Sequence, residues 1–185
     1  DLKLEAVKST LAQADGTQDD KAFKTILKNR VNRGVILAPG AGLIKHGENG
    51  KGLTSRWYPD TLRRRILDIG LISERIEFIE GDGITVLHEN VHNCNAVFFI
   101  DPPYTAAGKK AGSRLYTHSE LRHEELFRLS TLLAGDFLMT YDNTDEIREL
   151  AGWYGLDMLP VAMKNTHHAK MTELLIGRDL GWARG

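Results

Sequence analysis

Four residues at the end of an apolar run, Asp101 to Tyr104, are the part of the sequence best suited to chemistry. Pro102 and Pro103 lack a backbone N–H and fix their own φ angles, so the carbonyl groups nearby point in set directions. Asp101 adds a carboxylate acceptor and Tyr104 adds a flat aromatic face. Together these groups would form a small, rigid pocket made of acceptors and one aromatic ring. Such a pocket suits a planar group with an amino substituent, whose N–H groups donate to the acceptors while the ring of Tyr104 stacks on the planar group. The alternative interpretation is a turn in which Asp101 caps the strand and Tyr104 packs.

The segment before this cluster, Asn95 to Ile100, is apolar and rich in residues that favour strands. This pattern is typical of a central strand that is covered on both faces. Ligands of open α/β sheets bind at the carboxyl ends of the strands, where the chain leaves the sheet. The sequence therefore predicts a ligand site directly after Ile100.

Strand-like and helix-like segments alternate along most of the chain. The predicted strands, besides the one above, are Arg75–Glu80, Asp136–Asp142, Leu156–Asn165 and Thr172–Leu180. Pro160 favours an edge or bulged strand for the fourth of these five. The predicted helices are Pro59–Ile69, Ser119–Leu133 with Ser119 as N-cap, and a helix capped by Asn143 or Thr144 and closed by Gly155. This alternation predicts an α/β fold with a mostly parallel sheet. Before about residue 57 the glycine-rich sequence predicts long loops instead.

Basic residues are concentrated between Lys21 and Arg65. This stretch holds eleven lysines and arginines and only two acids, Glu48 and Asp60, although the net charge of the chain is −1. Such a block is either a solvated face or a surface for a phosphate backbone.

Other classes of protein fit the sequence less well. Cys94 is the only cysteine, which rules out an internal disulfide, and we interpret it as a buried core residue. No apolar run is long enough to cross a bilayer, and the acidic amino-terminal segment does not read as a secretory signal, so we expect a cytoplasmic protein. His118 and His123 are five residues apart, a spacing that does not stack them on one helix face, and no HExxH is present, so no metal site is expected.

The stretch FFIDPPY resembles the signature [DNS]PP[YFW] of DNA amino-methyltransferases, in particular the adenine-N6 enzymes of the Dam-like class. Four other segments look like further parts of that family: FKTILKNRVNRGVIL, LTSRWYPDTLRRRI, IEFIEGDG and KMTELLIGRDL. The resemblance covers roughly residues 22 to 180, and DPPY is its specific element.

The resemblance implies roles for individual residues. Asp101 and the carbonyl of Pro102 would accept hydrogen bonds from the adenine amino group, and Tyr104 would stack on the base after it is flipped out of the duplex. Pro103 completes the catalytic motif. The implied cofactor is S-adenosylmethionine, with Asp101 beside it and Asp82 contacting its adenine moiety. A plain turn aspartate is the alternative for Asp82.

The resemblance also implies a Rossmann-like methyltransferase sheet, mostly parallel with an antiparallel late strand. Residues 1–56 would form a helical, loop-rich basic segment that contacts DNA, and residues 57–185 the catalytic core. The family's amino-terminal F.G.G turn has no counterpart here, so the sheet is expected to lack its first strands. The expected DNA contacts are Lys28, Arg30, Arg33, Lys45, Lys51 and Arg56.

The expected protein is a site-specific enzyme of the restriction-modification type, monomeric or weakly dimeric, acting on double-stranded DNA. Two alternatives remain at this point. One is an RNA or protein amino-methylase, although such enzymes mostly carry asparagine where Asp101 stands. The other is a catalytically silent DNA-binding remnant or fragment.

Overall fold

A computed structural model of the chain describes residues 2–38, 41–47, 50–103, 121–164 and 170–184. Tyr104, His118 and Ser119, which the sequence singles out, lie outside the described residues. The chain divides into two compact units, Asp1–Ile79 and Glu80–Gly185. The boundary predicted between residues 56 and 57 separates proposed roles rather than compact units, and it stays a prediction.

The first unit is built on three α-helices in its described part: α1 (Leu4–Ala12), α2 (Gln18–Val31) and α3 (Pro59–Gly70). A capping box starts α2, because the Thr17 hydroxyl accepts from the backbone N–H of Asp20 and the Asp20 carboxylate accepts from that of Thr17. Helix α3 begins at Pro59, as predicted. Val7, Leu27 and Val31 form a small buried core.

Lys24 belongs to the basic block by sequence but is a structural residue. Its side chain is buried, and the ammonium group donates to the carbonyls of Gln13 and Ala14 at 2.8 and 2.9 Å. It also pairs with Asp15 at 3.0 Å. Lys24 therefore ties the α1–α2 loop to α2 and adds nothing to the exposed positive charge.

The strand predicted at Arg75–Glu80 is wrong. Arg75 ends a short 3-10 turn, Ser73–Arg75, and residues 76–80 pair with no strand of the described chain. Phe78 is 86% exposed. Alternating apolar residues make a segment suitable for a sheet, but a strand also needs a hydrogen-bonded neighbour, which the described residues do not supply here.

The second unit contains a four-stranded sheet in its described part: β1 (Val97–Ile100), β2 (Asp136–Asp142), β3 (Asp157–Lys164) and β4 (Lys170–Gly177). The order is β1-β2-β4-β3. Strands β1 and β2 are parallel, and β4 lies antiparallel to both β2 and β3. The α/β class and the antiparallel late strand are confirmed, but the sheet is mixed rather than mostly parallel, because one of these three pairings is parallel.

Three helices accompany the sheet in the described part of this unit: α4 (Gly83–Glu89), α5 (His123–Leu132) and α6 (Asp145–Trp153). Thr144 caps α6 by accepting from the N–H of Ile147, and Gly155, with φ +65°, closes the helix as predicted. Pro160 lies on the edge strand β3, also as predicted. The core packs side chains of β2 and β4 against α5 and α6 and includes Phe127, Leu129, Met139, Tyr141 and Ile147.

The prediction that β1 is a central strand covered on both faces is wrong. It forms one edge of the described sheet, and Val97 and Phe99 are 79% and 68% exposed. Phe98 and Ile100 pack against the core on the other face. Periodicity alone cannot tell a covered strand from an apolar edge strand. Cys94, just upstream of β1, is exposed rather than buried.

The start of β2 is held close to the start of β1. A Cβ added to Gly135 would lie 2.1 Å from the carbonyl oxygen of Ala96 and 2.8 Å from that of Asn93. The Arg178 guanidinium donates to the carbonyls of Gly135 and Leu133 and lies 5.2 Å from the centre of the Phe137 ring. Only glycine fits this junction without displacing backbone atoms.

An ion pair holds the last residues of the described chain to β3. The Arg184 guanidinium makes a bidentate contact with the Asp157 carboxylate, which also accepts from the N–H of Leu180 at 2.9 Å. The hydrogen bonds from Arg184 and then from Leu180 hold the pKa of Asp157 well below its usual value of 3.8.

We expect the ion pair between Arg184 and Asp157 to make the free energy of unfolding decrease in acid. A carboxyl group with a lowered pKa in the folded state stabilises the fold above its unfolded pKa, and that contribution disappears as the pH falls through the folded pKa. Asp157→Asn should therefore be less stable than wild type at pH 7 and should lose less stability below about pH 4. Urea unfolding midpoints measured against pH test this, with Asp136→Asn as control; parallel curves for Asp157→Asn and wild type would contradict it.

Candidate functional site

The carboxyl end of β1 places Asp101 beside β2. Ile100 pairs with Met139, so Asp101 lies next to Thr140. The Thr140 hydroxyl donates to Asp101 Oδ1 at 2.5 Å, which is a short O–H···O hydrogen bond. Asp101 is exposed, Pro102 is buried and Pro103 is half-buried. Asp101, Pro102 and Pro103 thus follow the end of β1, and the Asp101 side chain is exposed there.

Tyr141 and His123 lie on the opposite face of β2 from Thr140. Tyr141 is fully buried, and its hydroxyl lies 3.1 Å from His123 Nδ1 at the start of α5. Burial lowers the pKa of His123, while the negative charges of Glu146 and Asp142 act in the opposite direction. The contact between Tyr141 and His123 fixes the end of β2 to the start of α5.

Asp82 lies at the start of α4 and beside a cavity. Its Oδ1 accepts from the N–H of Ile84 at 3.0 Å, so the turn interpretation describes this contact. The same residue lines a cavity of about 280 Å³ together with Ile84, Leu121 and Arg122. Arg122 Nη1 is 2.7 Å from Glu125 Oε2. The cavity combines apolar walls with one acidic and one basic side chain.

The cavity lies at the residue to which the sequence resemblance assigns the adenine moiety of S-adenosylmethionine, Asp82. Ile84 and Leu121 offer apolar contact for an adenine ring, and a carboxylate such as Asp82 accepts from N–H or O–H groups. The residues present therefore fit an adenosine-like group.

Backbone hydrogen bonds gather several of the predicted DNA-contacting residues of the first unit. The N–H of Arg33 donates to the carbonyl of Gly42, which brings the end of α2 beside the segment that carries Lys45. The N–H of Gly52 donates to the carbonyl of His46. Lys45 and Lys51 are the residues directly before these two, so this hydrogen bond brings their backbones near each other. A Cβ on Gly47 would lie 2.3 Å from the carbonyl oxygen of Gly52, so this approach is close.

The six predicted DNA contacts differ in exposure. Lys28, Arg33, Lys45 and Lys51 are exposed, whereas Arg30 and Arg56 are half-buried. The Nε atom of Arg30 is buried without a hydrogen-bond partner in the described structure. Arg33 and Lys45 are thus better placed for a phosphate than Arg30.

Sequence reasoning missed Thr140 and His123. Both belong to segments that were predicted correctly as a strand and, in part, as a helix. The signal for Thr140 was a hydroxyl near the end of an otherwise apolar strand that runs parallel to the one before Asp101. His123 offered no such signal, since its role depends on the packing of α5.

Comparison of the chain with protein-family models gave no match, and comparison with curated proteins gave none either. Within the described ranges, no three His, Cys, Asp or Glu side chains are grouped so as to hold a metal ion. Among the described helices, none has the length and apolar character needed to span a membrane. The fold and site define an α/β protein with an accessible carboxylate at the end of a parallel strand pair.

Proposed function

We propose that this chain is an S-adenosylmethionine-dependent methyltransferase that modifies the N6 amino group of adenine in double-stranded DNA. The observation that carries the proposal is the position of Asp101: an accessible carboxylate at the carboxyl end of β1, followed by two prolines, with one oxygen bound to Thr140. The antiparallel late strand β4 supports it, because the resemblance of the sequence predicts that feature.

Asp101 would act on the amino group of the target base. Its carboxylate and the carbonyl of Pro102 would accept the two N–H bonds and so direct the nitrogen lone pair away from the acceptors. The amine becomes positively charged as it attacks, and a fixed negative charge beside it stabilises that developing charge. Tyr104 would stack on the extruded base.

The residues around Asp82 would hold the adenine moiety of the cofactor. S-adenosylmethionine, when bound, supplies the methyl group. Asp82 would accept from polar hydrogens of the ligand, while Ile84 and Leu121 would exclude water from its ring. We further propose that the protein acts in the cytoplasm as a monomer or weak dimer.

A direct assay tests the proposal. The chain is incubated with S-adenosylmethionine and duplex DNA of mixed sequence, and the digested nucleosides are analysed by mass spectrometry for N6-methyladenine. Matched RNA and protein substrates test the other amino-methylase classes. DNA binding without any methyl transfer would contradict the proposal and favour a silent DNA-binding protein.

We expect the double variant Arg33→Ala/Lys45→Ala to bind DNA more weakly. Loss of two phosphate contacts should lower the slope of log affinity against log salt by about 1.8. Fluorescence anisotropy of a labelled duplex over a range of salt concentrations measures this. The charge-matched control is Lys3→Ala/Lys8→Ala, at the N-cap of α1 and within it. An equal effect of both pairs would show that the binding follows net charge rather than this site.

A further inference from the structure

We infer that Arg122 binds the carboxylate of the methionine part of S-adenosylmethionine, an inference that rests on the function proposed above. Arg122 lines the cavity of about 280 Å³ together with Asp82, Ile84 and Leu121. Of these described lining residues, Arg122 is the only one with a positive charge. The cofactor carries one anionic group, its carboxylate, and a guanidinium is the side chain best suited to bind it.

The opposite charges of Arg122 and Asp82 do not neutralise each other directly. None of the ion pairs within the described part of the chain joins these two residues. Asp82 Oδ1 instead accepts from the N–H of Ile84 at 3.0 Å. A ligand in the cavity therefore meets two separate groups, an acceptor at Asp82 and a cationic donor at Arg122. This arrangement suits a ligand with N–H or O–H donors in one part and an anion in another, as S-adenosylmethionine has.

The contact of Arg122 with Glu125 uses only part of the guanidinium. The closest atoms are Arg122 Nη1 and Glu125 Oε2, at 2.7 Å, and Glu125 Oε1 also lies 4.0 Å from His88 Nε2. A guanidinium has five N–H donors, of which even a bidentate ion pair uses two. Arg122 makes no other polar contact within the described structure. Glu125 thus restrains one corner of the guanidinium, and the other donors stay available for a carboxylate.

The exposure of Arg122 suits the outer part of the cofactor. Its side chain is 71% exposed, whereas Ile84 is buried and Leu121 is half-buried. The cavity volume of about 280 Å³ lies near the lower limit for sites that enclose a whole small molecule, roughly 300 Å³. We therefore expect the apolar walls to cover the adenosine part, while the methionine part extends towards the exposed guanidinium.

The backbone at Arg122 is anchored although the side chain is exposed. Arg122 is the N-cap residue of α5, and its carbonyl accepts from the N–H of Leu126 at 3.1 Å. Leu126 and the next residue, Phe127, are buried in the core. The Arg122 side chain makes no capping hydrogen bond. Substitutions there should therefore change the guanidinium with little effect on α5, which makes the position suitable for a binding test.

The binding test compares two ligands that differ only in the carboxylate: S-adenosylmethionine and decarboxylated S-adenosylmethionine. Calorimetric titration gives their Kd values for wild type, Arg122→Met and Arg122→Lys. We expect Arg122→Met to bind S-adenosylmethionine roughly tenfold more weakly and the decarboxylated ligand almost unchanged, since an exposed charge-assisted contact is lost only with the former. Arg122→Lys keeps the charge without the planar fork, so its affinity should lie between. Arg128→Met, at an exposed arginine of α5 that does not line the cavity, is the control.

The outcomes separate this inference from the proposed function. Equal losses for both ligands in Arg122→Met, no loss for either, or the same loss in Arg128→Met would overturn the inference. If wild type also methylates adenine in DNA, these results leave the proposed function intact. A loss confined to the ligand with the carboxylate, in a protein that methylates no DNA, would keep the role of Arg122 and remove the proposed function. Failure of wild type to bind either ligand would overturn both.

Discussion

Asp101→Ala is expected to reduce the rate of methyl transfer by roughly a hundredfold to a thousandfold, while salt-dependent DNA binding stays intact. The variant removes the acceptor and the negative charge that the proposal places beside the amine. It removes no positive charge, and the predicted phosphate contacts lie in the other compact unit. Single-turnover rates with S-adenosylmethionine and duplex DNA, with anisotropy on the same duplex, measure both quantities. Asp101→Asn should retain an intermediate rate, since it keeps an acceptor without the charge.

Asp136→Ala is the matched control. Asp136 is another exposed acid of the same sheet, but its pairing with Val97 puts it at the opposite end of β1 from Asp101. This variant should transfer methyl groups at nearly the wild-type rate. Wild-type activity in Asp101→Ala would remove Asp101 from the mechanism, and with it the reason to assign this chemistry. Thermal unfolding of each variant shows whether a lost rate reflects a lost fold.

Gly135→Ala is expected to destabilise the second unit by about 3 kcal/mol. The added methyl group would overlap the carbonyl oxygen of Ala96, and backbone atoms cannot rotate away as the end of a side chain can. Ala96 directly precedes β1, so relief of the overlap would push the start of β1 away from β2. We expect the melting temperature to fall by more than about 10 °C. Methyl transfer should also fall at temperatures where the variant is still folded.

Gly152→Ala, which is also a glycine-to-alanine change, is expected to stabilise the protein. Gly152 lies in α6, and a Cβ there would meet no atom within 4 Å. Replacing a helical glycine by alanine stabilises by about 0.5–1 kcal/mol, because alanine loses less backbone freedom on folding. A melting temperature of Gly135→Ala equal to that of wild type would show that β1 and β2 do not approach as described.

The elements with local signals were predictable from the sequence. Pro59 marks the start of α3, Thr144 and Gly155 delimit α6, and Pro160 indicates an edge strand, because each acts through its own backbone geometry or hydrogen bonds. The wrong predictions concern segments whose structure depends on other parts of the chain. Arg75–Glu80 and β1 have the composition of strands inside a sheet, but pairing and coverage depend on distant segments that composition does not specify.

The candidate site was predictable only in part. The sequence predicts a site at Asp101 and the two prolines, because rigid acceptors after an apolar strand are unusual, and it predicts Asp82 either as a cofactor contact or as a turn aspartate. It did not identify Thr140, because the contact depends on the register between two strands. Nor did it show that Lys24 is buried while Lys28, one turn later on α2, is exposed. Residue type gives the chemistry available, whereas the fold decides which groups meet.

The contact between Thr140 and Asp101 joins residues that are 39 positions apart in the chain. The β3–β4 pair, by contrast, links consecutive strands, so its ends meet through a short closure. The entropic cost of closing a loop grows with the number of residues between the two groups that meet. Contacts between residues that are distant in the sequence therefore tend to form late in folding, because this cost precedes the energy that the contact provides. We therefore expect the order of assembly to run from the β3–β4 hairpin towards β1. The contact between Thr140 and Asp101 would form only in the last step of folding.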